Sequence, residues 1–575
     1  MRNTWDLDEI INPEGIDGII RKLSREVDDF LKIREKLDKG PSNEEFMSII
    51  TRLEDMNLES MRAAAYCGLK LSENTLDDRR TALETRTSAI LSHLGNKTLF
   101  FDTWFKELSD KKVKQYIRCS GKYRYMLERK RATMKYQLPE NEEKIINLKD
   151  LSGQETISRI YDLTVNSFRY NYGGRKQTLS EIVKYRFSTK RGQRKKAYDL
   201  VLAKYKEDSS LFSELYRSTV LDWRHECMQI RGYPSSIAVR NIANDVEDQA
   251  VKSMLESIEK NSQLFRKYFK MKKKLLNLEK IDKYDLYATP KHKKEQKIPY
   301  AKAVKMVLDT YKEFNDRLYE LAKLFYESNH INYAPMHGKQ SGGFCMSYSK
   351  DKKPYVLVNY TGTLEDVFTL IHETGHAIHA MLAADQTQFT YHATLPLSET
   401  ASVFSEMLLA QKLIRETDDR TRIYSRMLDN QYATVVRQGY ITLFELEAHK
   451  LISEGASTED LNTAYLRNLR QHLSPELKVD DVFSTEWMCI PHIFHSPFYC
   501  YAYSFGELLV LSLYQRYLAD GDFPRKYVEI LSLGGSMKPS DIIKKAGLNP
   551  NNKKTWDNGF NIIAKEIKSL NPQYK

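Results

Sequence analysis

Along most of the chain, apolar residues recur three and four positions apart, the spacing that lines one face of an α-helix. The stretch "IIRKLSREVDDFLKIREKL" is representative, with Ile19, Ile20, Leu23, Val27, Leu31 and Ile33 apolar among charged neighbours. Residues 1–112 therefore read as a helical lobe. A connector, "LSDKKVKQ", leads into a second helical segment, "YRYMLERKRATMKYQLPENEEKIINLKDLSG", in which Pro139 and Gly153 mark breaks. The expected divisions are 1–112, 113–180 and 181–575. Long helices fill the last, interrupted by "YDLYATPKHKKEQKIPY" (Tyr284 to Tyr300), whose prolines and charges read as a surface loop. The period changes at "GGFCMSYSKDKKPYVLVNYTGT" (Gly342 to Thr363). There "GFCMSY" and "YVLVNY" are rich in aromatic and β-branched residues and flank a charged turn, so they read as two paired strands. The expected fold class is all-α, mainly helical, with one small sheet.

Composition narrows this reading. A chain of 575 residues exceeds what one compact core holds, so two or more lobes are expected. The 24 glycines and 16 prolines are few for that length and favour helix, while 41% apolar residues exclude a disordered chain. The start, "MRNTWDLDEIINPEGID", has charges where a secretory signal needs its apolar run, and no later window spans a bilayer. The expectation is a soluble, cytoplasmic protein without a membrane partner. Six scattered cysteines, lacking metal or disulfide spacing, fit a reducing compartment. The formal charge of +12 invites a nucleic-acid reading. Its densest cluster, "KRGQRKKAYD", stands beside Tyr198, Val201 and Leu202 and reads as the solvated face of a helix, so no nucleic-acid partner is expected.

The segment after the strands carries candidate chemistry. Thr363 is a good N-cap with Asp366 at the third helical position, and Val367, Leu370 and Ile371 supply a buried face. In "HETGH", His372 and His376 lie four apart, one turn apart on one face, which lets two imidazoles hold a single ion. Glu373 is placed to take a proton from water, the general-base role. Gly375 weakens a helix interior, which points to close approach by another element. A catalytic zinc takes a third protein ligand. An HExxHxxGxxH extension would need Gly at 379 and His at 382, where His379 and Leu382 stand. The other solution is a carboxylate on a following helix. "LPLSETASVFSEMLLAQKLI" supplies Glu399 and, two turns deeper, Glu406, which is suited to accept the free N–H of a ligand imidazole. Further on, in "HSPFYCYAYSFGE", Ser496 and Pro497 read as an N-cap and first helical residue. On that reading Tyr499 and Tyr503 share a face, Tyr501 points away, and His492 and His495 sit on the loop leading in.

The chain resembles the oligoendopeptidase F branch of the thimet oligopeptidase-like zinc metallopeptidases. The likeness rests on "PYVLVNYTGTLEDVFTLIHETGHAIHA", "LSETASVFSEML", "RGYPSSI" (Arg231 to Ile237) and "IPHIFHSPFYCYAYSFGE" (Ile490 to Glu507), in order along most of the chain. It implies a gluzincin-type core within two helical lobes around a deep channel, one zinc ion per chain with Glu399 as third ligand, and cleavage of short unstructured peptides. It also implies tyrosine and histidine donors to the substrate from the last motif. Tyr503 is favoured by "YSFGE", with Tyr499 and either His492 or His495 beside it, while His379 supports or lines the site. Oligopeptides are the expected partners, and the oligomeric state is left open. The strand "YVLVNY" is expected to pair with an extended peptide. Two rival readings are a zinc exopeptidase, which would want a "GxMEN" element that is absent here, and a peptide-binding protein with a degenerate site.

Overall fold

Among the described residues the chain folds into helices and two small sheets, and it divides into two compact units. The computed structural model describes residues 4–290 and 297–570. The first unit gathers Met1–Lys135, Glu295–Lys412 and Tyr517–Gly547; the second gathers Tyr136–Lys294, Leu413–Arg516 and Leu548–Lys575. The elements used below are, in chain order, α1 (Gly15–Leu31), α2 (Asn43–Glu73), β1 (Tyr170–Tyr172), β2 (Arg175–Gln177) and α3 (Ser236–Ala243). They continue with β3 (Ile331–Asn332), β4 (Phe344–Met346), β5 (Tyr355–Leu357), α4 (Leu364–Leu382) and α5 (Leu395–Glu416), then α6 (Gln438–Ser453), α7 (Pro491–His495) and α8 (Tyr501–Ala519). Among the described residues no helix is long and apolar enough to cross a membrane, and all six cysteines are free thiols.

In the first unit the periodic stretch of α1 buries Leu23, Val27 and Phe30 against Phe46, Ile49 and Ile50 of α2. Ser42 and Glu45 cap α2 reciprocally, the Ser42 hydroxyl accepting from the Glu45 amide and the Glu45 carboxylate from the Ser42 amide. The expected connector "LSDKKVKQ" is corrected. Ser109 caps a helix over Asp110–Cys119 that buries Val113 and Tyr116, and Tyr116 stacks on Phe46 at 4.2 Å. A second cluster joins Trp5, Leu7 and Ile10 to Ala65 and Leu69 of α2 and to Tyr355 and Leu357 of β5, which seats the sheet against α2.

That sheet contains the two expected strands, β4 and β5, paired antiparallel with Cys345 opposite Val356, plus a strand the sequence did not announce, β3, parallel to β5. The order β3-β5-β4 overturns one expectation. The strand of "YVLVNY" is central, with a neighbour on each side, so it cannot accept a peptide; the edge beside it is β4. Lys339 fastens the segment between β3 and β4 by donating to the carbonyls of Asn332, Ala334 and Val358. Burial pushes its ammonium down to about 8.

In the second unit the basic cluster is a helix, Arg191–Glu207, that buries Ala197, Tyr198 and Leu202. Several of its cations are paired: Arg194 with Asp285, Arg191 with Asp282 and Asp285, and Lys195 with Asp199. Asp285 is thereby buried along with Tyr284, Leu286 and Ala288, so a surface loop over 284–288 is corrected. Residues 291–296 of that stretch lie outside the described residues. The hairpin β1–β2 turns through Gly173 and Gly174 at φ +61° and +79°, a Gly-Gly signal that was legible and passed over.

Candidate active site

The capping expectation at α4 holds in detail: the Thr363 hydroxyl accepts from the Asp366 amide, and Asp366 accepts from the amides of Thr361 and Thr363. From this fixed start the helix runs through the sheet-facing core and presents His372 and His376 one turn apart, their rings 5.0 Å apart. Gly375 has the close neighbour its position called for, because a Cβ there would stand 2.7 Å from both the Ala401 carbonyl oxygen and the Ser402 Cα. Bare backbone thus lets α5 lie directly on α4.

That approach brings Glu399 between the two imidazoles. Its Oε2 is 3.4 Å from Nε2 of His372 and 3.4 Å from Nε2 of His376, and ligand atoms of all three side chains lie within 4.8 Å of one another. Tetrahedral zinc with bonds of about 2.0–2.2 Å sets its ligands roughly 3.3–3.6 Å apart. The donor set fits zinc in type and spacing. Glu406, two turns further along α5, accepts from His372 Nδ1 at 2.8 Å, which turns Nε2 toward the shared centre. Burial opposes charge on His372, but its bonds to Glu399 and Glu406 outweigh this and raise it well above the usual imidazole value. Burial likewise opposes charge on Glu399, and the two imidazoles reverse it, holding the carboxyl far below the ordinary range.

Glu373 faces the same cavity as His372 and His376. It is 6% exposed, and burial raises its carboxyl above the usual carboxylate range. Gly343, at the start of β4, is its wall: a Cβ there would be 3.1 Å from Glu373 Oε1. A cavity of about 750 Å³ opens here, bounded by Gly343, Cys345 and Ser347 of the β4 strip, by His372, Glu373 and His376, and by Gly68 and Ser72 of α2. Tyr391 and His392 also line it, held where the Tyr391 hydroxyl and His392 Nε2 meet the Ser347 carbonyl. Sequence reasoning missed this wall, although Gly342-Gly343 was a signal for close packing. His379 is buried, meets the backbone of Ser398 beside Glu399, and is pushed down to about 4 by burial.

The remaining candidates belong to the second unit, and two expectations about them are corrected. The helix does not begin at Ser496-Pro497 but at Tyr501, and His492 and His495 lie on a short helix, α7, not on a loop. The Pro signal belongs to Pro491, the first residue of α7. Between α7 and α8, Phe498 adopts φ +58°, which no α-helix accommodates. Even so, the expected grouping forms. The Tyr503 hydroxyl is 3.3 Å from His492 Nε2, and the Tyr499 ring lies 5.4 Å from Tyr503 and 5.8 Å from His492. Burial lowers His492, favouring the neutral ring. Tyr501 turns inward and its hydroxyl accepts from Asn244. His495 stands apart, 3.1 Å from the Asp162 carboxylate. In the "RGYPSSI" stretch Arg231 forks onto Glu143 at 2.7 and 2.9 Å.

A mainly helical chain with a two-histidine, one-glutamate group on antiparallel helices describes a metallopeptidase, and comparison with known proteins agrees. Residues 185–562 match the family described as Peptidase family M3, and residues 104–170 match the one described as Oligopeptidase F. The chain belongs to peptidase family M3. It is 25% identical to oligoendopeptidase F, chromosomal, of Lactococcus lactis subsp. cremoris, over 99% of this chain and 96% of that one. It is also 25% identical to an oligoendopeptidase F homolog of Borreliella burgdorferi, over 98% of each. A crystal structure from Chlamydophila abortus shares the fold with a TM-score of 0.87 at 23% identity, covering 99% of this chain and 98% of that one. Oligoendopeptidase-F from Enterococcus faecium does so at 0.71 and 20%, covering 96% and 98%.

Proposed function

We propose that this metallo-oligopeptidase is a zinc-dependent endopeptidase that cuts internal bonds of short unstructured peptides, with one zinc ion held by His372, His376 and Glu399. The observation that carries the reading is the pairing of that donor group with a buried carboxyl, Glu373, on the wall of a cavity bordered by β4, an edge strand of its sheet. A zinc ion there supplies positive charge that acidifies water and polarises a peptide carbonyl. Glu373 accepts a proton from the attacking water and returns it to the amide nitrogen as the C–N bond breaks, leaving a carboxylate and an amine. Glu406 keeps His372 in the tautomer that offers Nε2.

The peptide is held by backbone. Val356 and Val358 donate to the carbonyls of His330 and Asn332, so the alternate residues Tyr355 and Leu357 turn toward β4. On β4 their partners Met346 and Phe344 turn inward, which leaves the N–H and C=O of Cys345 facing away from the sheet. An extended substrate pairs there. Tyr503, with His492 and Tyr499, is assigned hydrogen-bond donation to substrate oxygen, supported by their mutual contacts; His495 is assigned to Asp162 instead.

Metal analysis together with mass spectrometry of a digested pool of short peptides tests this. About one zinc per chain, lost in His376→Ala, and products from internal bonds are expected. Full zinc in that variant rules out the ligand set, and release of only terminal residues rules out endopeptidase action. Glu373→Gln should keep its zinc and lose about 100-fold or more in kcat.

A further inference from the structure

The turn that joins His492 to Tyr503 is held from outside by two polar side chains, Glu445 and Arg240. Phe498, fully buried at the middle of it, takes the left-handed conformation that disfavours side chains other than glycine, and "SPFYC" offers no glycine. Its amide donates to Glu445 Oε1 of α6 at 2.8 Å. On the other side Arg240 of α3 donates from Nε to the Pro497 carbonyl at 3.2 Å and from its terminal nitrogen to the Ser496 hydroxyl at 2.7 Å. One turn along α6, the His449 ring packs 4.6 Å from the Phe498 ring. Glu445 is completely buried, and its second oxygen has no hydrogen-bond partner. A carboxyl is a costly way to satisfy one amide in a core, which suggests a task beyond filling space.

We propose that Glu445 and Arg240 are positioning residues, which hold the turn Ser496–Cys500 in its left-handed kink and so set Tyr499 and Tyr503 against His492 for the substrate. This rests on the reading of Tyr503 as a substrate donor. The geometry gives the connection directly. Tyr499 follows the kinked residue by one position, and Tyr503 follows on the first turn of α8. A kink released at Phe498 rotates the whole first turn, and a catalytic group displaced by about 1 Å costs roughly 100-fold.

The test is a double-mutant cycle on the zinc-loaded full chain, reading kcat and KM for one fixed decapeptide, with zinc content and melting temperature as controls. Glu445→Leu should lose about 10- to 100-fold in kcat/KM, mostly in kcat. Glu445→Gln, whose amide oxygen still accepts from Phe498, should recover to within about twofold of the parent. Tyr503→Phe should be impaired, and adding Glu445→Leu to it should cost no more than about a further twofold, because the group through which Glu445 acts is already gone. A merely structural role would multiply the two losses, and that outcome overturns the proposal, as does parental activity in Glu445→Leu. If Glu445→Leu does not fold, Arg240→Gln enters the same cycle under the same criteria. Parental activity in Tyr503→Phe would instead sink the donor reading. An impaired Tyr503→Phe with multiplying losses sinks only the positioning role.

Discussion

Gly375 of α4 rests on the backbone of Ser402 of α5 with no space for a side chain between them: an added Cβ would lie 2.7 Å from the Ser402 Cα and 2.9 Å from its nitrogen. Both obstacles are main chain, so neither can swing aside. In Gly375→Ala the gain in helix propensity of about 1 kcal/mol is outweighed by overpacking of about 1–3 kcal/mol or more, and α5 moves away carrying Glu399. The expected outcome is a lower melting temperature together with weaker zinc retention under chelator challenge. A variant of unchanged zinc affinity would show that the helix contact does not set the ligand spacing.

Glu406 is expected to matter for metal without touching it. It fixes His372 through a 2.8 Å bond to Nδ1, and removing such a partner typically weakens metal binding about 10- to 100-fold. Glu406→Ala should therefore exchange zinc at lower chelator concentrations than the parent while remaining folded. Equal retention would mean that packing alone orients the imidazole.

Much of this was legible because local signals and chemistry coincided. Thr363 and Asp366 fixed where α4 starts, the four-residue spacing fixed which face His372 and His376 share, and "LPLSETASVFSEMLLAQKLI" marked the following helix that carries Glu399 and Glu406. What escaped was set by distant contacts. β3 is only two residues long, too short for any periodic signal, yet it makes β5 central and moves the free edge to β4. The start of α8 was misplaced because Ser496-Pro497 is a sound local cap, whereas Phe498, whose amide bonds to a buried carboxyl 53 residues upstream, is left-handed and interrupts the helix there. Asp110–Cys119 was passed over because its charges hid an apolar pair, Val113 and Tyr116, at helical spacing.

The edge strand makes a prediction about substrates. With the Cys345 N–H and C=O turned away from β5, the proposed strand pairing sets one amide of the bound peptide against them. N-methylating the backbone of a good ten-residue substrate one position at a time removes that donor. One position near the cleaved bond should raise KM about 10-fold, the cost of leaving a strand bond unmade, while methylation at the peptide ends should leave it unchanged. Uniform effects at every position would argue that side-chain pockets, not strand pairing, hold the substrate.

Acid response offers a check on the second unit. His449 is buried with neither ring nitrogen hydrogen-bonded, and burial, with the Arg224 charge adding to it, holds its pKa down to about 3. Unfolded, the same ring takes a proton near 6.5. Below that pH the unfolded chain binds a proton the folded one refuses, so the contribution of His449 falls as pH falls, by up to about 1.4 kcal/mol per pH unit down to about 3. Glu445, one turn away, works in the opposite sense. Burial pushes it up to about 8, so between roughly 4.5 and 8 the folded chain holds a proton the unfolded one has released, and this contribution grows as pH falls. The two offset each other from about 4.5 to 6.5 in the parent. His449→Phe removes one side of that balance. Its melting temperature should rise relative to the parent as pH is lowered from 7 to 5. A gap that stays constant across that range would mean that His449 titrates alike in the folded and unfolded chain.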